Sequence, residues 1–438
     1  MKNYLGTPHC TCGREHDVAI EEVVVGNGVL QRLPECIRHL GGSKPFLLSD
    51  VNTHAAAGQA VEALLERSGI AYSGYVYPCT SLEPDEKAVG SAFMHFDTSC
   101  DLIIGIGSGV INDMGKILSN VSGRKYIIVG TAPSMDGYAS ATSSMSMDGL
   151  KVSLNSRCAD IILGDVDILK NAPEHMLKSG LGDMLAKYVS IAEWRIAHLI
   201  TGEYYCERVA QLIRDALKKC VDNAQGLLRR EDTAVQAVFE GLVIGGVAMA
   251  YAGVSRPASG VEHYFSHVWD MRSLEFGTQV DLHGIQCAMG TMKAVQLYQK
   301  IQAITPDKEK AQAYVNAFSY EKWADTLRAF LGNSGETMIA KEATEHKYDK
   351  STHAPRFQKI ADNWDTILQI LREELPSVEK LTDILDTIGI STDLSTIGVD
   401  KSCAQLTFKA TKDIRDKYVL SRLAWDLGIL DELADTLE

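Results

Sequence analysis

Between residues 44 and about 133, short apolar runs alternate with amphipathic segments. Pro45-Phe-Leu-Leu48, residues 72–77, Leu102-Ile-Ile-Gly105 and Tyr126-Ile-Ile-Val129 read as strands, most of them apolar without a polar alternate face. The segments between them, 54–68, 85–96 and 110–120, carry helical spacing. Strand–helix alternation of this kind predicts a parallel α/β sheet, with ligands at the carboxyl ends of its strands. Upstream, Glu22-Val-Val-Val25 predicts a further strand and Gly26-Asn-Gly28 a turn. The pattern then changes between 141 and 162. Serine-rich alternation, a Met147-Asp-Gly149 turn and Lys151-Val-Ser-Leu154 predict a β-hairpin flap, and Asp160-Ile-Ile-Leu163 returns as a strand. After Asn171-Ala-Pro173 the chain is helical almost to its end. The pattern therefore predicts an α/β domain over 1–168, with an N-terminal arm and the flap, followed by an all-helical domain over 169–438.

The most apolar stretch, 234–254, is long enough to cross a membrane but contains Gln236, Glu240 and four glycines, with no basic flank to orient it. It is expected to be a buried helix in the core of the all-α domain. Residues 345–353 read as an exposed polar loop. A chain of 438 residues with 45% hydrophobic and 23% charged content has room for two or three soluble domains. The net charge of −14 argues against nucleic acid or an anionic membrane as partner, so an anionic substrate must be held by local cations. Ten scattered cysteines outline no disulfide framework, and the N-terminus has no secretory pattern; both point to the cytoplasm. Cys10-Thr-Cys12-Gly-Arg-Glu-His16 looks like half a zinc site, but it lacks four ligands at the usual spacing. It is expected to be an irregular arm.

Candidate chemistry collects in four places. In Ser259-Gly-Val-Glu-His-Tyr-Phe-Ser-His-Val-Trp-Asp270, His263 and His267 share one helical face, and His283 follows at the start of a new helix. Three such imidazoles build a metal or acid–base site, or are satisfied core residues. Gly105-Ile-Gly-Ser-Gly-Val-Ile-Asn-Asp-Met-Gly-Lys116 follows a strand and opens a helix, as a pyrophosphate cradle does, although Asp113 stands where a third glycine is usual. Asp50, at the end of an earlier strand, suits a ribose diol or a helix cap. Thr131-Ala-Pro-Ser-Met-Asp-Gly-Tyr-Ala-Ser140 offers hydroxyls to the same crevice or is an ordinary Pro/Gly loop. Asp183, near a helix start after two glycines, either caps that helix or completes an Asp-His-His ligand set with an open position.

Together these pieces, in this order, resemble the superfamily of iron-type alcohol dehydrogenases, glycerol dehydrogenases and dehydroquinate synthases. Within it, Gly130–Ser140, Gly182-Asp183 and Ser255–His267 resemble bacterial sn-glycerol-1-phosphate dehydrogenases. The resemblance implies that 1–168 is a Rossmann-like dinucleotide-binding domain and 169–438 an all-helical metal- and substrate-binding domain, with the active site in the cleft between them. It implies reduction of dihydroxyacetone phosphate by NAD(P)H in a homodimer, with a metal polarising the C2 oxygen. It implies Asp183, His263 and His283 as ligands of zinc, nickel or iron. Gly107, Ser108, Gly109, Val110, Asn112, Asp113, Thr131, Ser134 and Ser140 would hold the dinucleotide, and Asp50 the adenosine ribose with a leaning to NAD. Asp136, Asp183 and His267 would face substrate. The substrate phosphate needs a cation, expected at Arg256, with Lys116 and Lys187 as rivals. Glycerol or alcohol oxidation without phosphate, and a dehydroquinate-synthase-like lyase, are the alternative activities.

Overall fold

The computed structural model describes residues 6–7, 10–147 and 150–437. The chain divides into two compact units, one formed by residues up to Met184 with Glu207–Ser255, the other by Leu185–Cys206 with Arg256–Glu438. A border at 168/169, drawn where strands give way to helices, sorts the chain by element type. Packing sorts it differently, returning two long helices to the first unit.

The first unit is built on strands β1 (Glu22–Gly26), β2 (Pro45–Asp50), β3 (Ser73–Tyr77), β4 (Leu102–Gly107) and β5 (Lys125–Gly130), the antiparallel hairpin β6 (Thr142–Met147) and β7 (Leu150–Asn155), and β8 (Ile161–Asp165). Six of them form one sheet in the order β1-β8-β5-β4-β2-β3, every pairing parallel. Alternate residues face opposite ways. Leu102, Ile104 and Ile106 of β4, Ile127 and Val129 of β5, and Ile161 and Leu163 of β8 pack in one core with Leu33, Ile37, Val61 and Leu65. Ile103, Ile128 and Ile162, on the other face, are equally buried. Burial on both faces explains why these strands are unbroken apolar runs. The flap is present as a hairpin in register from Thr142↔Asn155 to Met147↔Leu150; its expected Asp148-Gly149 tip lies outside the described residues.

Four helices matter next: α1 (Gly109–Ser122), α2 (Glu174–Leu185), α3 (Lys187–Thr201) and α4 (Glu207–Asp222). Helix α5 (Asp232–Ala252) is the apolar stretch, and most of it is buried. It does not lie in an all-α core as expected; it belongs to the unit that holds the sheet. The Phe239 ring fits where Gly130 and Gly164 leave notches, since a Cβ on Gly130 would come within 2.9 Å of it and one on Gly164 would overlap it. Gly246 admits the backbone of Ala139 in the same way.

The second unit is helical throughout its described residues. Its centre is α6 (Val261–Phe276) against α7 (His283–Ile301), so close at Gly290 that a Cβ there would lie 2.6 Å from the Glu262 carbonyl. Residues 346 and 349–352 are exposed as expected, but the segment is anchored: Tyr348 stacks on Phe318 at 4.2 Å and meets Trp425, while His353 is buried. Aromatic contacts outweigh the polar composition of that segment.

Candidate active site and metal centre

In the first unit the carboxyl ends of β4 and β5 lie side by side, with Gly107 and Gly130 paired and the Thr131 N–H donating to the Gly107 carbonyl at 3.0 Å. This brings Ser108-Gly109-Val110 beside the 131–140 loop. A Cβ on Gly107 would stand 2.5 Å from Ile111, and one on Gly105 or Gly115 would collide with the Tyr126 hydroxyl. Gly115 thus supplies the close helix–strand approach of a third fingerprint glycine, two residues beyond Asp113. Helix α1 starts without a side-chain cap, so its first-turn N–H groups are not taken up by Ser108.

Three residues expected to touch cofactor or substrate hold the scaffold instead. Asn112 is fully buried, donating to the Gly137 carbonyl at 3.0 Å and accepting from the Tyr126 hydroxyl at 3.2 Å. Asp113 pairs with Lys116 at 2.7 Å and accepts the Ser144 N–H. Lys116, also fully buried, donates to the Thr142 carbonyl at 2.6 Å, which leaves it no role as a phosphate cation. Together they tie α1 to the 131–140 loop and the flap. Thr131 and Ser134 are buried at the base of that loop, and the Ser140 hydroxyl pairs with Thr142. Asp50 does cap a helix, in a reciprocal box with Thr53, but both capping bonds use Oδ1.

Asp183 lies in the last turn of α2, not near its start. The glycines that suggested a helix entry are interior. At Gly180 a Cβ would run into the Pro133 carbonyl oxygen, so the glycine is there to admit the 131–140 loop. Ser179 donates to the Ser134 carbonyl at 2.8 Å, and the fully buried Asp183 accepts the Asp136 N–H at 2.9 Å. Asp136 and Asp183 therefore meet within one unit.

In the second unit α6 begins without a conventional cap. The Gly260 N–H donates to Glu262 Oε1 at 2.6 Å and the Val261 N–H to Glu193 Oε2 at 2.9 Å. Two buried carboxylates so occupy the positive end of the helix. Burial, then the charge of Glu262, pushes Glu193 up to about 8, while hydrogen bonds from Leu420 and Tyr298 hold its other oxygen. His263, next on the helix, donates from Nδ1 to Glu262 Oε1 at 2.9 Å, which leaves Nε2 as a ligand atom. His283 Nδ1 lies 3.1 Å from Ser266 Oγ, and its Nε2 lies 3.5 Å from Cys287 Sγ. The ligand atoms of His263, His283 and Cys287 all fall within 4.8 Å of one another, and the buried Glu262 Oε2 has no hydrogen-bond partner among the described residues. This donor set fits a divalent transition metal. Burial alone would push the Cys287 thiol up, but the neighbouring imidazoles outweigh it and bring the thiol down. The His267 ring is half-buried, 5.9 Å from that of His283 and 6.5 Å from that of His263.

Sequence reasoning missed Cys287 and the Glu193–Glu262 pair. Cys287 was detectable as the i+4 neighbour of His283 on one helical face; Glu193, seventy residues away, left no signal. Arg256 is also placed otherwise than expected. It is 1% exposed and holds both oxygens of Glu203 at 2.6 Å, with a third bond to the Tyr418 carbonyl. A guanidinium so committed is not available to a phosphate. Arg256→Met is accordingly expected to cost about 2–3 kcal/mol of unfolding free energy in urea, because it strands Glu203, and to shift KM alike for phosphorylated and plain substrates. Lys187 is fully buried on the Ala258 carbonyl at 3.1 Å and is likewise committed to the core.

A parallel nucleotide-type sheet and a helical unit with a buried His-His-Cys cluster define a metal- and nicotinamide-dependent dehydrogenase of the iron-containing alcohol dehydrogenase type, and residues 24–173 match the family described as iron-containing alcohol dehydrogenase. The fold is similar along the chain to that of an iron-containing alcohol dehydrogenase from Thermococcus thioreducens, with TM-score 0.61 at 12% identity, covering 95% of this chain and 98% of that one. The NAD(P)+ glycerol-1-phosphate dehydrogenase of Halalkalibacterium halodurans is 32% identical over 66% of this chain and 73% of its own length. The enzyme of the same name from Geobacillus stearothermophilus is 27% identical over 93% and 92%. The chain belongs to the glycerol-1-phosphate dehydrogenase family.

Proposed function

We propose that this enzyme reduces dihydroxyacetone phosphate to sn-glycerol 1-phosphate with NADH or NADPH, acting in the cytoplasm as a homodimer. The observation that carries the reading is the His263–His283–Cys287 cluster, half-buried at His283 and buried at the other two, with His267 beside it, in a chain whose family is named for that product. Asp183, His263 and His283 would hold the divalent metal (zinc, nickel or iron), which when bound polarises the C2 oxygen; the reduced nicotinamide supplies the hydride. The protein's own groups do the rest. Glu262 fixes the His263 ring so that Nε2 is the ligand atom. His267, one turn along α6, delivers a proton to the C2 oxygen or receives it in reverse. Asp136, bonded to Asp183 through its N–H, orients the substrate hydroxyls. Gly107, Ser108, Gly109 and Val110 cradle the pyrophosphate with the uncapped turn of α1, while Thr131, Ser134 and Ser140 line the nicotinamide side. Oδ2 of Asp50, unused in capping, is set for the adenosine ribose and favours NAD.

The phosphate cation, with Arg256, Lys116 and Lys187 engaged elsewhere, we assign to Lys417. Its ammonium donates to the Ser259 carbonyl at 2.8 Å, just ahead of the histidine helix, and lies over the Tyr264 ring. Burial, then Arg256 and Arg415, pushes it down to about 7 from the ordinary lysine value. The charged form is therefore present below about pH 7 and lost above it. Between pH 6 and 8, kcat/KM for dihydroxyacetone phosphate is expected to fall through an inflection near 7. Lys417→Met should flatten that inflection and raise KM by about 10- to 100-fold, the value of one charge-assisted hydrogen bond. An unchanged pH profile in the variant removes Lys417 from the role.

The function itself is tested by following oxidation of NADH and NADPH with dihydroxyacetone phosphate, unphosphorylated dihydroxyacetone and simple aldehydes, with chiral analysis of the product. Turnover confined to the phosphate ester and giving the sn-1 phosphate is the expected result. Preference for an unphosphorylated carbonyl makes the chain a glycerol or alcohol dehydrogenase instead, and no net oxidation with any carbonyl sinks the proposal.

A further inference from the structure

The N-terminal arm is not irregular where it matters. Residues Gly6–Thr7 pair antiparallel with His16–Asp17, closing a hairpin over the Cys10–His16 loop. Within that loop the Gly13 N–H donates to the Cys10 carbonyl at 3.0 Å, and Gly13 adopts φ +81, a turn that presents Cys10 and Cys12 together. The ligand atoms of Cys10, Cys12 and His16 all lie within 4.8 Å of one another. Cys12 Sγ stands 3.4 Å from His16 Nε2. A tetrahedral zinc with Zn–S of about 2.3 Å and Zn–N of about 2.0 Å sets that separation at about 3.5 Å. The other imidazole nitrogen is also accounted for: Nδ1 of the 2%-exposed His16 bonds the Tyr251 carbonyl at 3.3 Å, the outer contact a zinc-bound histidine makes. Tyr251 and Ala252, whose carbonyl accepts from Arg14, form the last turn of α5, where the negative end of the helix dipole favours a nearby cation.

We propose that this arm carries a structural zinc, separate from the catalytic metal, held by Cys10, Cys12 and His16. Two thiolates and an oriented imidazole make the site a clamp: it pins the hairpin to the end of α5.

The test uses the full chain carrying His263→Ala, so that metal retained there reports on the arm, purified without chelator and measured by mass spectrometry for metals and by zinc-edge X-ray absorption. One zinc per chain with sulfur in its shell at about 2.3 Å is expected. Cys10→Ser/Cys12→Ser in that background should retain less than a tenth of it. Absence of zinc from the His263→Ala chain, or a shell of oxygen and nitrogen alone, overturns the site. Should the double variant fail to fold, a thiol-blocking mercurial titrated into the His263→Ala chain keeps the question answerable. Zinc released in step with thiols modified supports the site, and full thiol modification without zinc release refutes it.

Discussion

His263→Ala is expected to lose one metal per chain and at least a thousandfold in dihydroxyacetone phosphate reduction, whereas His267→Ala keeps its metal and loses about a hundredfold. The two rings sit one turn apart on α6, yet their surroundings differ. His263 is 4% exposed and oriented by Glu262, with its ligand atom turned into the cluster of His283 and Cys287. Removing it takes away a ligand and leaves the buried Glu262 carboxylate with only the Gly260 N–H as donor. His267 is half-buried and set farther from both rings, so its loss removes a proton donor and spares the ligands. Metal analysis beside single-turnover rates separates the outcomes. Equal metal loss in both variants would make His267 a ligand, and metal retained in His263→Ala at the catalytic centre would undo the ligand set. Restoring nickel or zinc to His267→Ala should not recover its rate.

Gly180→Ala is the substitution expected to do most damage for one methyl group. Its Cβ would meet a carbonyl oxygen, not the yielding end of a side chain, and would stand 3.0 Å from Val238. Either α2 or the 131–140 loop must move, at a cost of about 3 kcal/mol. Because Ser179 and Asp183 hold that loop from the same helix, the shift is expected to raise KM for the nicotinamide cofactor at least tenfold while sparing metal content. Gly123→Ala serves as the control: its Cβ meets nothing within 4 Å, and the strain of φ +67 should cost only about 1 kcal/mol. Equal unfolding midpoints for the two variants would refute the steric account.

Every strand of the main sheet was legible, the central ones such as 102–107 because a strand buried on both faces is a short apolar run, the edge strands 22–26 and 73–77 through their place in the strand–helix alternation. The histidine helix was legible through its i, i+4 spacing. What local pattern did not carry was which element each segment packs against. The 234–254 stretch is apolar whether it lies among helices or on a sheet, and only Phe239 seated at Gly130 and Gly164 decides it. Arg256 looked like a phosphate ligand because its partner Glu203 is fifty-three positions away. Asp183 was assigned to a helix start because glycine commonly marks an entry, whereas Gly180 is interior for clearance.

The return of α4 and α5 to the first unit has a consequence for how the chain is made. When the ribosome has released β8, the sheet is complete in sequence, but the helix that seats Phe239 at Gly130 and Gly164 is still some seventy residues from emerging. Until it arrives, the notched apolar surface has no cover from this chain, and the segment Leu185–Cys206 is already out and awaiting a partner unit that is not yet translated. Nascent chains of this enzyme therefore pass through a long window of exposed sheet, in which synthesis rate and holdase capacity set the yield.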